Sequence, residues 1–210
     1  LVNPRFWGML TDLLRPFSFL TISHPTRKPL IISWLTPALI AALIVGVGAL
    51  INHSVDVFGA SGLINRVLGF IQSLPGFYIA ALAAIATFNN RDMLKLMPGI
   101  PPVGTVDYNG FPERVPMTRR RFLSSMFAYL TALSIVLTLF AVGMLAVAEP
   151  IKAALPVASY PFVKGAVTYF FLMFTCQMVA VTFWGLYYLG DKLHTPETAD
   201  PSAPETQPPQ

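Results

Sequence analysis

The chain has 210 residues, 54% of them hydrophobic and only 11% charged, with a net charge of +4. A soluble domain usually carries about 25% charged residues, so the composition excludes an ordinary water-soluble fold. One cysteine, Cys176, excludes an intrachain disulfide, and the three histidines (His24, His53 and His194) are too scattered to suggest a metal site.

Residues 1–30 read as an amphipathic N-terminal segment. Within 3–20, Phe6, Leu10, Leu13 and Phe17 recur at helical spacing, with Trp7 and Leu14 beside them and Arg5 and Arg15 on the flanks. Apolar and aromatic residues on one face with basic residues nearby predict a short interfacial helix. Pro16 is expected to end or kink it. The alternative is an irregular arm docked on the helices that follow.

Four apolar stretches without a charged residue come next, at about 33–52, 67–88, 122–148 and 165–189. Each reaches the roughly 20 residues needed to cross a bilayer as a helix. The expected fold is therefore an all-α membrane protein. It is a four-transmembrane-helix bundle over 31–190, with the N-terminal interfacial helix and a small cytoplasmic β-hairpin between helices 2 and 3. The first apolar run begins late and is long enough to span, so it reads as an anchor rather than a cleaved signal.

Small residues recur every four positions in three spans: Ala38, Ala42 and Gly46; Gly76, Ala80 and Ala84; Ser124, Ala128 and Ala132. Residues four apart share a helix face, and small faces let helices approach closely in lipid. These are the expected helix-packing residues; at least two of the three faces are expected to pack within the chain, which leaves one for contact between copies. Gln72 and Gln177 are the expected intramembrane polar contacts, since an amide at such depth usually finds a partner on another helix.

The stretch 89–121 is the largest polar segment. Asn109-Gly110 between two short extended runs predicts a hairpin over 105–115, because both turn positions favour positive φ. Thr118 is placed to cap the third helix. Arg119, Arg120 and Arg121 then oppose its dipole, so lipid phosphates or acidic groups are expected to compensate. Asp107, Tyr108, Arg114 and Arg119 to Arg121 are the candidate docking residues for a cytoplasmic protein partner. The fourth span is rich in aromatics, with Trp184, Tyr187 and Tyr188 near its end in the position of an aromatic belt. Residues 191–210, rich in proline and acids, are expected to be disordered.

Basic residues set the expected orientation. Eleven of the fourteen Lys and Arg fall before the first span, between the second and third, or after the fourth. The positive-inside rule places these segments, and both termini, in the cytoplasm, most naturally at a bacterial inner membrane. Anionic headgroups at that face account for the charge, so direct nucleic-acid binding is not expected.

No nucleophile, base, metal or phosphate-binding motif appears, and neither an enzyme nor a cofactor is expected. The absence of charge within the spans also removes the usual mark of a proton relay or ion-coupled transporter. The expected function is an oligomerising membrane effector of the toxin or phage-defence type, which perturbs or permeabilises the bilayer on a cytoplasmic signal. The alternative is a structural or adaptor subunit that anchors a larger complex through its basic loop. A selective channel ranks third. Only Gln72, Gln177 and hydroxyls such as Thr131, Ser134, Thr138, Thr168 and Thr175 offer a polar lining.

Overall fold

A computed structural model describes residues 14–22, 31–51, 56–87, 91–97, 101–108 and 111–189. Helices dominate: α1 (Thr36–Leu50), α2 (Leu63–Ile71), α3 (Leu74–Thr87), α4 (Arg119–Ala154) and α5 (Tyr160–Tyr187). Strands β1 (Val103–Tyr108) and β2 (Phe111–Pro116) form one small antiparallel sheet between α3 and α4. Four helical stretches are long and apolar enough to cross a membrane: Ser33–Leu50, Leu63–Thr87, Arg119–Ala154 and Tyr160–Tyr187.

Prolines explain where these helices start and break. Pro37 opens α1 and Pro161 opens α5, positions where a missing N–H is harmless. A π-type turn, Ile31–Leu35, leads into α1. The second stretch keeps the length of a span, and a break at Gln72-Ser73 divides it into α2 and α3. Pro75 has no N–H for the carbonyl of Ile71, and the Ser73 N–H and hydroxyl both turn to the Phe70 carbonyl, at 3.4 and 2.9 Å. Pro150, by contrast, lies inside α4, which runs six residues beyond the expected end at 148. Leu155 finally ends it in an extended conformation, as expected of a residue before proline.

Helix α4 is the hub. Its residues Phe122, Leu123, Met126, Phe127 and Leu130 are fully buried. It runs antiparallel to α5, with Phe122 on Trp184 at 5.7 Å and Phe140 on Phe171 at 6.3 Å. Tyr78 of α3 meets Phe127 at 6.2 Å. Helix α1 packs chiefly on α5, which leaves it the least buried span, at 11% against 39% for α5.

Residues 1–13 lie outside the described chain, and so does most of the expected interfacial helix. The described remainder is a docked arm. Arg15–Thr21 forms a 3₁₀ turn that Pro16 opens rather than ends. Phe19 stacks on Tyr129 at 5.3 Å and meets Phe122 at 5.9 Å. Phe17 meets Tyr129 edge-on at 6.0 Å. Over these residues, burying two phenylalanines against α4 replaces the lipid-facing helix.

The hairpin spans both strands, slightly longer than the expected 105–115. Pairing Tyr108 with Phe111 leaves two residues for the turn; that turn, Asn109-Gly110, lies outside the described residues, as does the tail from 191 onward.

Candidate functional site

The most organised chemistry lies at the end of the bundle where α3 and α5 finish and α4 begins. At its centre the Tyr129 hydroxyl donates to Gln177 Oε1 at 2.7 Å, both residues buried. Gln177 Nε2 has no hydrogen-bond partner among the described residues. A second link joins Tyr78 and Thr182 at 2.7 Å. The Thr182 hydroxyl already donates to the Met178 carbonyl, so Tyr78 is the donor. Three helices are thus tied by two tyrosines that no sequence motif marks.

The arginine run is built into the bundle. Thr118 Oγ1 accepts from the Arg121 N–H at 3.4 Å, capping α4, and the Arg119 N–H donates to the Lys95 carbonyl at 3.0 Å. Arg120 reaches across to the carbonyl of Ala86 in the last turn of α3. Arg119 is buried within electrostatic reach of Tyr188, at the end of α5. Helix C-termini carry negative potential. The antiparallel packing therefore supplies compensation from the ends of α3 and α5, where lipid phosphates or acidic groups are expected from the sequence. Arg119 is removed from any docking surface, whereas Arg114 and Arg121 are exposed.

Residues 91–97 brace the base of the hairpin. Leu96 bridges to Thr118, the Met97 N–H donates to the Met117 carbonyl at 3.3 Å, and the Met117 N–H donates to the Pro102 carbonyl at 3.0 Å. Met93, Met97 and Met117 are buried beneath it. Beyond that base the strands pair with each other and, among the described residues, make no extensive contact with any helix. Asp107 and Tyr108 sit in the outer half of β1, at register positions opposite Pro112 and Phe111.

The small-residue faces divide. Ser124, Ala128 and Ala132 are half-buried on α4. On α1, Ala38 is half-buried and Ala42 and Gly46 are exposed, while Pro37 and Ala41 are buried instead. On α3, Gly76, Ala80 and Ala84 are all exposed. A methyl group added at Gly46, Gly69 or Gly76 would meet nothing within 4 Å. Gln72, at the break before α3, is exposed on the outside of the bundle.

The span hydroxyls turn back onto their own helices. Thr131, Ser134, Thr138, Thr168 and Thr175 each donate to a carbonyl of their own helix, at 2.7–2.8 Å. Among the described residues no cluster of His, Cys, Asp or Glu is arranged to hold a metal ion.

The chain matches no protein-family model, no curated protein and no solved structure.

Proposed function

We propose that this chain is a multi-pass membrane protein that self-associates through its outer small-residue faces and perturbs the bilayer as an assembly. Its surface supports the membrane location. Leu39, Leu43, Leu50, Leu139 and Phe183 are each more than 60% exposed, and so much uncovered apolar side chain is at home in lipid rather than water.

The observation that carries self-association is the outer face of α2 and α3. Gly69, Gly76, Ala80 and Ala84 lie there uncovered together with the Gln72 amide. Tyr78 packs on Phe127, and Gln72 lies six residues further from the hairpin end, ~9 Å along a helix. The apolar run of α4 continues about 20 residues beyond Phe127, so the amide sits at hydrocarbon depth. A polar side chain there is expected to seek a partner, and small neighbours let a second helix come close. Thr131, Ser134, Thr138, Thr168 and Thr175 each donate within their own helix, which supports an opening formed between copies rather than within one chain.

Expression with a membrane-potential dye, combined with cross-linking in intact membranes, tests this. The parent chain is expected to cross-link into oligomers and lower the potential. Gln72→Leu combined with Gly76→Ile is expected to abolish both while preserving the folded monomer. Intact potential in cells that contain the cross-linked assembly would remove the perturbing activity; a parent chain that stays monomeric would remove the assembly.

A second reading, an adaptor that anchors a larger complex, is favoured by the hairpin. It is braced at its base, otherwise free of the helices, and exposes Arg114. Recovery of one stoichiometric partner in mild detergent, lost when the hairpin is disrupted, would favour that reading.

A further inference from the structure

At the opposite end of the bundle, α1 and α5 diverge around a cavity of about 470 Å³. Its walls include Ile44 and Gly48 of α1, Leu63 at the start of α2, and Lys164, Gly165 and Thr168 of α5. The volume falls in the range of about 300–1,000 Å³ that bound small molecules occupy. The lining is almost wholly apolar. The Thr168 hydroxyl is already committed to the Lys164 carbonyl at 2.7 Å. So apolar a wall offers water few partners. A Cβ built on Gly165 meets nothing within 4 Å, so open space begins at the backbone of α5 itself. Helix α1 packs chiefly on α5 and, among the described residues, makes no extensive contact with α2, α3 or α4.

We propose that this crevice seats one acyl chain of an anionic phospholipid, with the Lys164 ammonium against the headgroup phosphate. The inference rests on the membrane location proposed above and is independent of self-association. Lys164 lies one turn into α5, from which a lysine stem extends along apolar surface while its charge stays at the interface. It keeps an interaction within the chain; an ammonium has three donors, so a phosphate oxygen is accommodated as well. An acyl chain gains little by leaving other acyl chains for an apolar wall. The crevice therefore fixes where the lipid sits, and the lysine decides which lipid is retained. Selection is expected to follow headgroup charge and not chain length.

The full chain is placed in nanodiscs of phosphatidylcholine containing spin-labelled phosphatidylglycerol or spin-labelled phosphatidylcholine, and the motionally restricted fraction is compared. The parent is expected to prefer phosphatidylglycerol. Lys164→Gln is expected to reduce that preference about fivefold, the effect of one basic residue near an anionic surface. Lys152→Gln, an exposed lysine at the same end of the bundle, is expected to leave it unchanged. Gly165→Phe fills the space and is expected to release the restricted lipid of both kinds. Equal effects of the Lys152 and Lys164 substitutions, or an unchanged preference in Lys164→Gln, would overturn the site. Cross-linking of cysteines placed at position 165 between copies would make the crevice a helix seat and also overturn it. A chain that never enters the disc overturns the membrane location as well, whereas an inserted chain without headgroup preference overturns this inference alone.

Discussion

The Tyr129–Gln177 pair shows how a polar contact is held among apolar helices. The tyrosine hydroxyl needs an acceptor and the glutamine oxygen needs a donor, and each is the other's partner at 2.7 Å. Interhelical hydrogen bonds of this kind average about 0.6 kcal/mol and reach about 1.7. Tyr129→Phe leaves the whole amide unpaired, so we expect a loss of about 1 kcal/mol in detergent unfolding. Adding Gln177→Met removes the stranded amide and is expected to recover most of that loss, because deleting both partners costs less than deleting one. Equal instability of the single and double variants would show that the pair acts only through shape. Gly185 makes a separate point. A methyl group there meets the end of the flexible Met126 side chain, which can swing aside. Gly185→Ala is expected to stay within about 1 kcal/mol of the parent, whereas Gly185→Leu wedges α4 from α5 and costs about 1–3 kcal/mol. Thermal denaturation of the two variants side by side checks the difference.

At the scale of elements, the number and position of the helices long and apolar enough to cross a membrane are legible from apolar length alone. Which face of a helix turns inward is not. The every-fourth small residues of α1 and α3 stand out by composition, yet Pro37, Ala41, Tyr78 and Ile85 are the buried ones. In lipid an apolar side chain is as comfortable outside as inside, so periodicity no longer marks the core. Pro75 carried a readable signal for the break between α2 and α3, through its missing N–H. The arm at Arg15–Thr21 follows tertiary burial rather than local spacing. Hairpin pairing was readable because Asn-Gly turns fix register. Replacing Asn109-Gly110 by Val-Val is expected to unpair β1 and β2 and make 103–116 a preferred site of limited proteolysis, while α4 and α5 stay protected. Unchanged cleavage would mean that the braced base, not the turn, holds the strands.

Taken whole, the molecule has two unlike ends. One gathers the arm, three arginines, two tyrosine-mediated links and the hairpin. The other offers short loops and an apolar crevice. Between them lie mostly smooth apolar flanks, interrupted on the outside by Gln72 and the small-residue faces. This polarity gives the proposed activities separate addresses: recognition at the hairpin end, lipid retention at the far end and contact between copies along the flank. Substitutions at Lys164, at Gln72 and in the hairpin are therefore expected to act additively, as distant sites do. Measured together in one variant, they should reproduce the sum of their separate effects on lipid preference, assembly and partner capture.

Helix α1 leans chiefly on α5, which leaves the ribosome only after α2, α3 and α4. During synthesis α1 must therefore wait unclasped while the intervening helices gather around α4. A chain cut short after residue 154 is expected to keep α2 and α3 fastened to α4 yet leave α1 adrift, open to cysteine reagents along the side that Ala41 normally hides. Supplying the missing helix as a separate polypeptide should close that side again.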